Sequence, residues 1–202
     1  MQTIVNQIEE KIKRHKRGKI FFIKNFAALG APEAVKKSLQ RLVNSGLLVR
    51  LANGIYWYPP REKALYGVKI SGNPTLDEIA KAIAKRDKAR IVPTGIHALN
   101  LLNISTQVPA NVVYLTDGAA RRVNVGNGKS ILFKHTSEVN RLAYKSEFLM
   151  LIVSALREIG EGEVTDRQKE IIKSHFSHVT KQEFEADLKL IPIWIHKLFL
   201  SL

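Results

Sequence analysis

Between residues 20 and 58 the chain reads IFFIKNFAALGAPEAVKKSLQRLVNSGLLVRLANGIYWY, and few folds accept that order of signals. An apolar strand comes first, then a short helix, then Gly30-Ala31-Pro32. Proline suits the first helical position, where its missing N–H costs nothing. The second helix, phased at about 100° per residue, puts Val35, Leu39, Leu42 and Val43 on one side. Glu33, Lys36, Lys37, Gln40 and Asn44 share the opposite side, with Arg41 at its edge. Ser45-Gly46 ends the helix, because glycine accepts the left-handed conformation a C-cap needs. Residues 47–51 and 55–58 then flank Asn53-Gly54, a strong two-residue hairpin signal. Strand, helix, turn, helix and hairpin make a winged helix-turn-helix, which lays its second helix in the DNA major groove.

A solvated lysine face is common on helices that bind nothing, so charge must be weighed with the topology. The chain carries a formal +14 with pI ≈ 10.0, implying an acidic partner, with nucleic acid before an anionic membrane. Residues 1–60 hold eleven Lys/Arg against three Glu, a net +8, so over half the excess lies in the first third. Part of it is Lys13-Arg14-His15-Lys16-Arg17, which follows an amphipathic helix over residues 3–15. Those cations either complement the helix macrodipole or touch phosphate beside the recognition helix, and the two uses are compatible.

With 45% apolar residues, the 202-residue chain has enough to bury real cores in one large domain or two small ones. There is no cysteine, which excludes disulfides and thiolate metal sites. No signal-peptide core opens the sequence, and the longest apolar run, residues 148–153, is too short to cross a bilayer. A cytoplasmic protein is expected.

After Pro59-Pro60, residues 61–74 read as a connector. Thr75 and Glu78 form a capping box for a helix over 76–86. Residues 90–93 read as a short strand, and Thr94 as the cap of a helix containing Ala98, Leu99 and Leu102. Segments 112–116, 121–125 and 130–134, joined through Asp117-Gly118 and Asn127-Gly128, predict an antiparallel meander. Helices are expected over 138–158, 165–177, 180–188 and 190–200. The apolar stripe Trp194/Ile195/Leu198/Phe199 in the last is either internal core or a dimer interface. The expected fold class is α+β: a winged helix-turn-helix over 1–66, then an α+β domain with a smaller sheet and a helical C-terminal part over 67–202.

Enzyme chemistry does not assemble. His175 and His178 sit at i and i+3 without a surrounding carboxylate pattern and read as solvated; His97 and His135 are isolated. Asp117 ends a strand, but no further oxygen ligands converge with it as metal-dependent phosphodiester cleavage requires. Gly118 and Gly126 to Gly128 read as hairpin glycines, since no helix N-terminus with Gly-Lys-Ser/Thr follows. No catalytic residue, metal or cofactor is expected.

The wing Asn53-Gly54-Ile55-Tyr56, Pro-Thr-Gly at 93–95, Ala-Leu-Asn-Leu-Leu at 98–102, Ser-Thr-Gln-Val-Pro at 105–109 and Val-Tyr-Leu-Thr-Asp-Gly at 113–118 occur in that order. Together they resemble the AbiE-type abortive-infection antitoxin and transcriptional regulator family. The winged helix is common to many regulators; the Gln-Val-Pro and Leu-Thr-Asp-Gly segments are more diagnostic. The resemblance covers nearly the whole chain, which would be a short member. It implies an N-terminal winged helix that represses its own operon, and a C-terminal domain that counters a nucleotidyltransferase-like toxin in phage defence. DNA contact would fall on Lys36, Lys37, Gln40, Arg41 and Asn44, on the wing at Asn53, and on the phosphate-reaching Lys16 and Arg17. The partners expected are double-stranded DNA at its own promoter and the toxin, whether or not the two proteins touch. A homodimer through the second domain would link two half-site contacts. The alternative is a protein–protein adaptor that holds a toxin and binds nucleic acid only nonspecifically.

Overall fold

The computed structural model describes residues 3–60, 63–65, 68–70 and 72–202, with 63–65 and 68–70 as backbone alone. The fold is mixed α+β, and the chain divides into two compact units, Met1–Ala82 with Asn124–Asn127 and Ile83–Val123 with Gly128–Leu202. The boundary expected between residues 66 and 67 lies outside the described residues.

In the first unit, helix α1 (Ile4–Lys13) is capped by Thr3, whose hydroxyl accepts from Asn6 N at 3.3 Å. Its Ile8 and Ile12 are fully buried. Strand β1 (Ile20–Phe22) leads into the expected short helix, which is a 3-10 helix over Ile23–Leu29. Asn25 Oδ1 accepts from Phe22 N at 2.7 Å and draws that first turn tight. Helix α2 (Pro32–Asn44) starts with proline at its first position and ends at Ser45, followed by Gly46 at φ 76°. Strands β2 (Val49–Ala52) and β3 (Ile55–Trp57) close a three-stranded antiparallel sheet in the order β1-β3-β2. Phe21, Phe26, Val35, Leu39, Leu48 and Tyr56 form the centre of this unit's core. Each such side chain contributes about 1.5–3 kcal/mol by leaving water, so the sheet and both helices stand or fall together.

The expected connector contains two short paired strands, β4 (Lys63–Leu65) and β5 (Val68–Ile70); residues 61, 62, 66, 67 and 71 lie outside the described set. Helix α3 (Leu76–Asp87) carries the expected capping box: Glu78 N donates to Thr75 Oγ1 at 3.1 Å and Thr75 N to Glu78 Oε2 at 2.7 Å.

The second unit centres on strands β6 (Ile91–Thr94), β7 (Asn111–Thr116), β8 (Arg121–Asn124) and β9 (Ser130–His135), in the order β6-β7-β9-β8. The expected meander is therefore corrected: β7 pairs with β9 in parallel, and β8 lies at the edge beyond β9. The cause is local. A two-residue Asp-Gly hairpin needs positive φ at both positions, and Gly118 does not adopt it, whereas Asn127 (φ 49°) and Gly128 (φ 70°) both do. Asp117 instead accepts from Arg90 N at 2.7 Å and Arg90 Nε at 2.8 Å, tying the end of β7 to the entrance of β6. The link over 117–120 is then long enough to step past one strand, about 10 Å.

Helix α4 (Ile96–Leu101) is N-capped by Gly95, not by Thr94, which belongs to β6. The helix expected over 138–158 is split into a 3-10 turn, Val139–Leu142, and α5 (Glu147–Ile159). Asp187, buried at 1% exposure, accepts from Lys145 N (2.9 Å) and Ser146 N (3.0 Å), and Ser146 Oγ accepts from Leu149 N. Those donors are thereby removed from any continuous helix. Helix α6 (Asp166–His175) keeps a Thr165/Gln168 capping box and passes into a 3-10 turn at Phe176. Helix α7 (Lys181–Asp187) precedes α8 (Ile193–Leu200), which begins late because Pro192 occupies the N-cap. In α8, Ile195 is fully buried and Trp194, Leu198 and Phe199 pack on the helical core with Leu149, Ile152 and Leu156. No helix of the described residues is long and apolar enough to cross a membrane.

Candidate nucleic-acid interface

Helix α2 separates its two sides cleanly. Val35, Leu39 and Leu42 are at most 3% exposed, while Lys36, Lys37, Gln40, Arg41 and Asn44 are all exposed. Ser38, which the apolar stripe did not include, is also buried on the inner side. On the outer side Gln40 Nε2 donates to Asn44 Oδ1 at 2.9 Å, holding two amides one turn apart. Three cations and two amides on one exposed helical face offer charge to phosphates and paired donors and acceptors to base edges.

The hairpin is held as firmly as the helix. Register runs Arg50↔Tyr56 and then Ala52↔Ile55, so one residue bulges and the simple alternation of faces fails there. Gly54 takes φ 69°, and its carbonyl accepts from Ile23 N at 2.9 Å. Asn53 is exposed at the tip and accepts from Arg50 Nη2 at 3.3 Å. Two cations missing from the expected site thus belong beside the β2–β3 hairpin. Arg50 touches Asn53 directly, and exposed Lys24 follows the residue bonded to Gly54. Their sequence signal was only a place in the basic count; the β1–β3 register and the bulge supply the rest.

Lys16 and Arg17 are placed elsewhere. Gly18 N donates to Tyr58 O at 2.7 Å, so this segment meets the end of β3 opposite the hairpin tip. The four residue steps from Gly54 to Tyr58, about 13 Å of extended chain, separate them along the sheet. Arg17 is moreover occupied: Nη1 donates to Pro59 O at 2.8 Å and the guanidinium lies 4.5 Å from the Tyr58 ring centre. Lys16 is exposed. Nearby, the hydrogen bond from Lys13 to Glu9, at 2.6 Å, raises the lysine above its ordinary range. The basic cluster is therefore partly neutralised by its own helix.

The histidines have structural surroundings. His97 is 7% exposed with Nε2 2.9 Å from Tyr114 Oη, and His135 Nδ1 lies 3.0 Å from Gly118 O. His175, expected to be solvated, is half-buried with Nε2 2.9 Å from Leu102 O and its ring against Phe148; its i+3 neighbour His178 is exposed. Among the described residues no three His, Cys, Asp or Glu form a metal-holding group. Burial would raise the Asp117 carboxyl, but the Arg90 guanidinium and backbone N–H outweigh it and hold the group below its usual range.

No curated protein matches the chain. Residues 7–187 match the model of a family of unknown function, DUF6088. That match spans both compact units, and the chain belongs to the DUF6088 family.

Proposed function

We propose that the chain is a DNA-binding transcriptional regulator whose first unit works as a winged helix-turn-helix. The observation that carries this reading is the polarity of α2: every side chain on its basic, amide-bearing side is exposed, and none is needed by the core. Lys36, Lys37, Gln40, Arg41 and Asn44 would enter the major groove, with Asn53, Arg50 and Lys24 on the flanking backbone. The sequence segments that resemble AbiE-type antitoxins support a specific role. The protein would repress its own operon and relieve the toxicity of a co-encoded nucleotidyltransferase-like protein. The mechanism is occupancy of the promoter, with no cofactor and no catalytic residue.

The test is footprinting on the DNA upstream of the gene, with K36A/K37A/Q40A/R41A beside the unaltered chain. Each base-contacting pair is worth about 1–3 kcal/mol, so the quadruple variant is expected to lose the footprint while melting at the same temperature. A folded variant with an unchanged footprint would remove α2 from the interface. Co-expression with the neighbouring gene tests the antitoxin role, for which growth must depend on this chain.

A further inference from the structure

Beyond DNA binding, the second unit has a cavity of about 520 Å³ built from three separate segments. The 3-10 turn Val139–Leu142 supplies one wall, the last turn of α5 another, and the stretch from Lys189 into the start of α8 the third. Its volume falls within the roughly 300–1,000 Å³ of ligand clefts. Arg141, Arg157 and Lys189 line it, against a single carboxylate, Glu138.

The charge in this cavity is not neutralised by the fold. Glu138 reaches Arg141 Nη1 only at 3.8 Å and is itself 61% exposed. The Arg157 and Lys189 side chains form no hydrogen bond or ion pair among the described residues. Asp187, the nearest acid in sequence to Lys189, is buried and accepts from the backbone of Lys145 and Ser146. The rim is aliphatic as well as cationic: Val139 is 50% exposed and Ile193 77%. A surface with unpaired guanidinium and ammonium groups next to bare aliphatic side chains is complementary to carboxylates flanking an aliphatic residue. It suits a polynucleotide poorly, since no aromatic ring lines it for base stacking and Glu138 would face phosphate.

We propose that this cavity is a docking site for an acidic segment of a partner protein, with one branched aliphatic side chain seated against Val139 and Ile193. Carboxylates on either side of that residue bridge Arg157 and Lys189, and Arg141 releases its loose hold on Glu138 to join them. The site is distinct from α2, so it works whether or not the DNA-binding reading holds.

The experiment pans a displayed library of short random peptides on the full chain, then measures the recovered sequences as labelled synthetic peptides by fluorescence anisotropy. The recovered sequences are expected to share two or more acids around Leu, Ile or Val. R157E/K189E is expected to weaken their binding about tenfold or more, as loss of desolvated charge pairs does. I193S is expected to weaken it by a smaller factor, and K36A/K37A/Q40A/R41A not at all. R157Q/K189Q, which only neutralises, repeats the test if charge reversal disturbs folding. Recovered peptides without the pattern, or binding that survives R157Q/K189Q, would overturn the proposal. Displacement of the peptide by an oligothymidine would assign the cavity to nucleic acid instead, and loss of binding with the α2 variant would assign the peptides to the first unit.

Discussion

At the scale of single residues, the second unit depends on one buried acid more than on any surface ion pair. Asp187 accepts backbone hydrogen bonds from Lys145 and Ser146 where α5 begins, and at 1% exposure no water can replace it. A carboxylate there also faces the positive end of the α5 dipole. Removing it strands the buried Ser146 N–H and the part-buried Lys145 N–H, and hydrogen bonds to charged groups are worth about 1.5–3 kcal/mol each. Asp187→Ala is therefore expected to lose about 3 kcal/mol in urea denaturation, and Asp187→Asn, which keeps one acceptor oxygen, about half of that. Equal losses for the two variants would show that a neutral acceptor oxygen contributes nothing there and would overturn the expected half-loss. By contrast, Lys169–Asp166 at 2.8 Å leaves Asp166 96% exposed, and such a pair contributes little.

At the scale of elements, the two glycine-bearing links of the second sheet do different work. Asn127-Gly128 is a hairpin with positive φ at both residues, and it joins β8 to its neighbour β9. Asp117-Gly118 is a crossing, and what Gly118 supplies is space: an added Cβ would lie 2.8 Å from the Ala89 Cβ. That neighbour has no rotamer to change. At Gly30 the equivalent clash, 2.7 Å, is with the flexible end of Ile4. Gly118→Ala is thus expected to cost about 1–3 kcal/mol by overpacking, and Gly30→Ala distinctly less, because Ile4 can turn aside. Thermal melts of the two variants decide it; a loss at Gly30 equal to that at Gly118 would contradict the crossing geometry. The divided helix over 138–158 has the same kind of cause. Apolar periodicity continues through residues 143–146, but Asp187, more than forty positions away, takes the N–H groups of Lys145 and Ser146.

At the scale of the whole molecule, charge is the property that reaches furthest. Each cation seated on a phosphate contributes about 0.9 to the slope of log affinity against log salt. Replacing Lys36, Lys37 and Arg41 with alanine is expected to flatten that slope by up to about 2.7 on the upstream DNA. Lys16→Ala is expected to leave it unchanged, since Lys16 stands at the end of β3 away from the hairpin tip. A flatter slope for Lys16→Ala would return the basic cluster after α1 to the interface.

The sequence by itself determined what is local. Pro32 at the first position of α2, Gly46 after its end, the Thr75/Glu78 box and the two-sided phasing of α2 each follow from the steric and hydrogen-bonding needs of adjacent residues. The exposed face of α2 was legible for that reason, as was the α+β class. Tertiary structure decided what depends on partners far along the chain. The parallel pairing of β7 with β9 turns on Arg90 holding Asp117, and the start of α5 on Asp187. The places of Lys24 and Arg50 beside the β2–β3 hairpin turn on the β1–β3 register and a bulge in β2. Hydrophobic period and turn residues report a residue's own conformation, whereas strand order and the company a cation keeps are set by which distant donors and acceptors must be satisfied in the packed molecule.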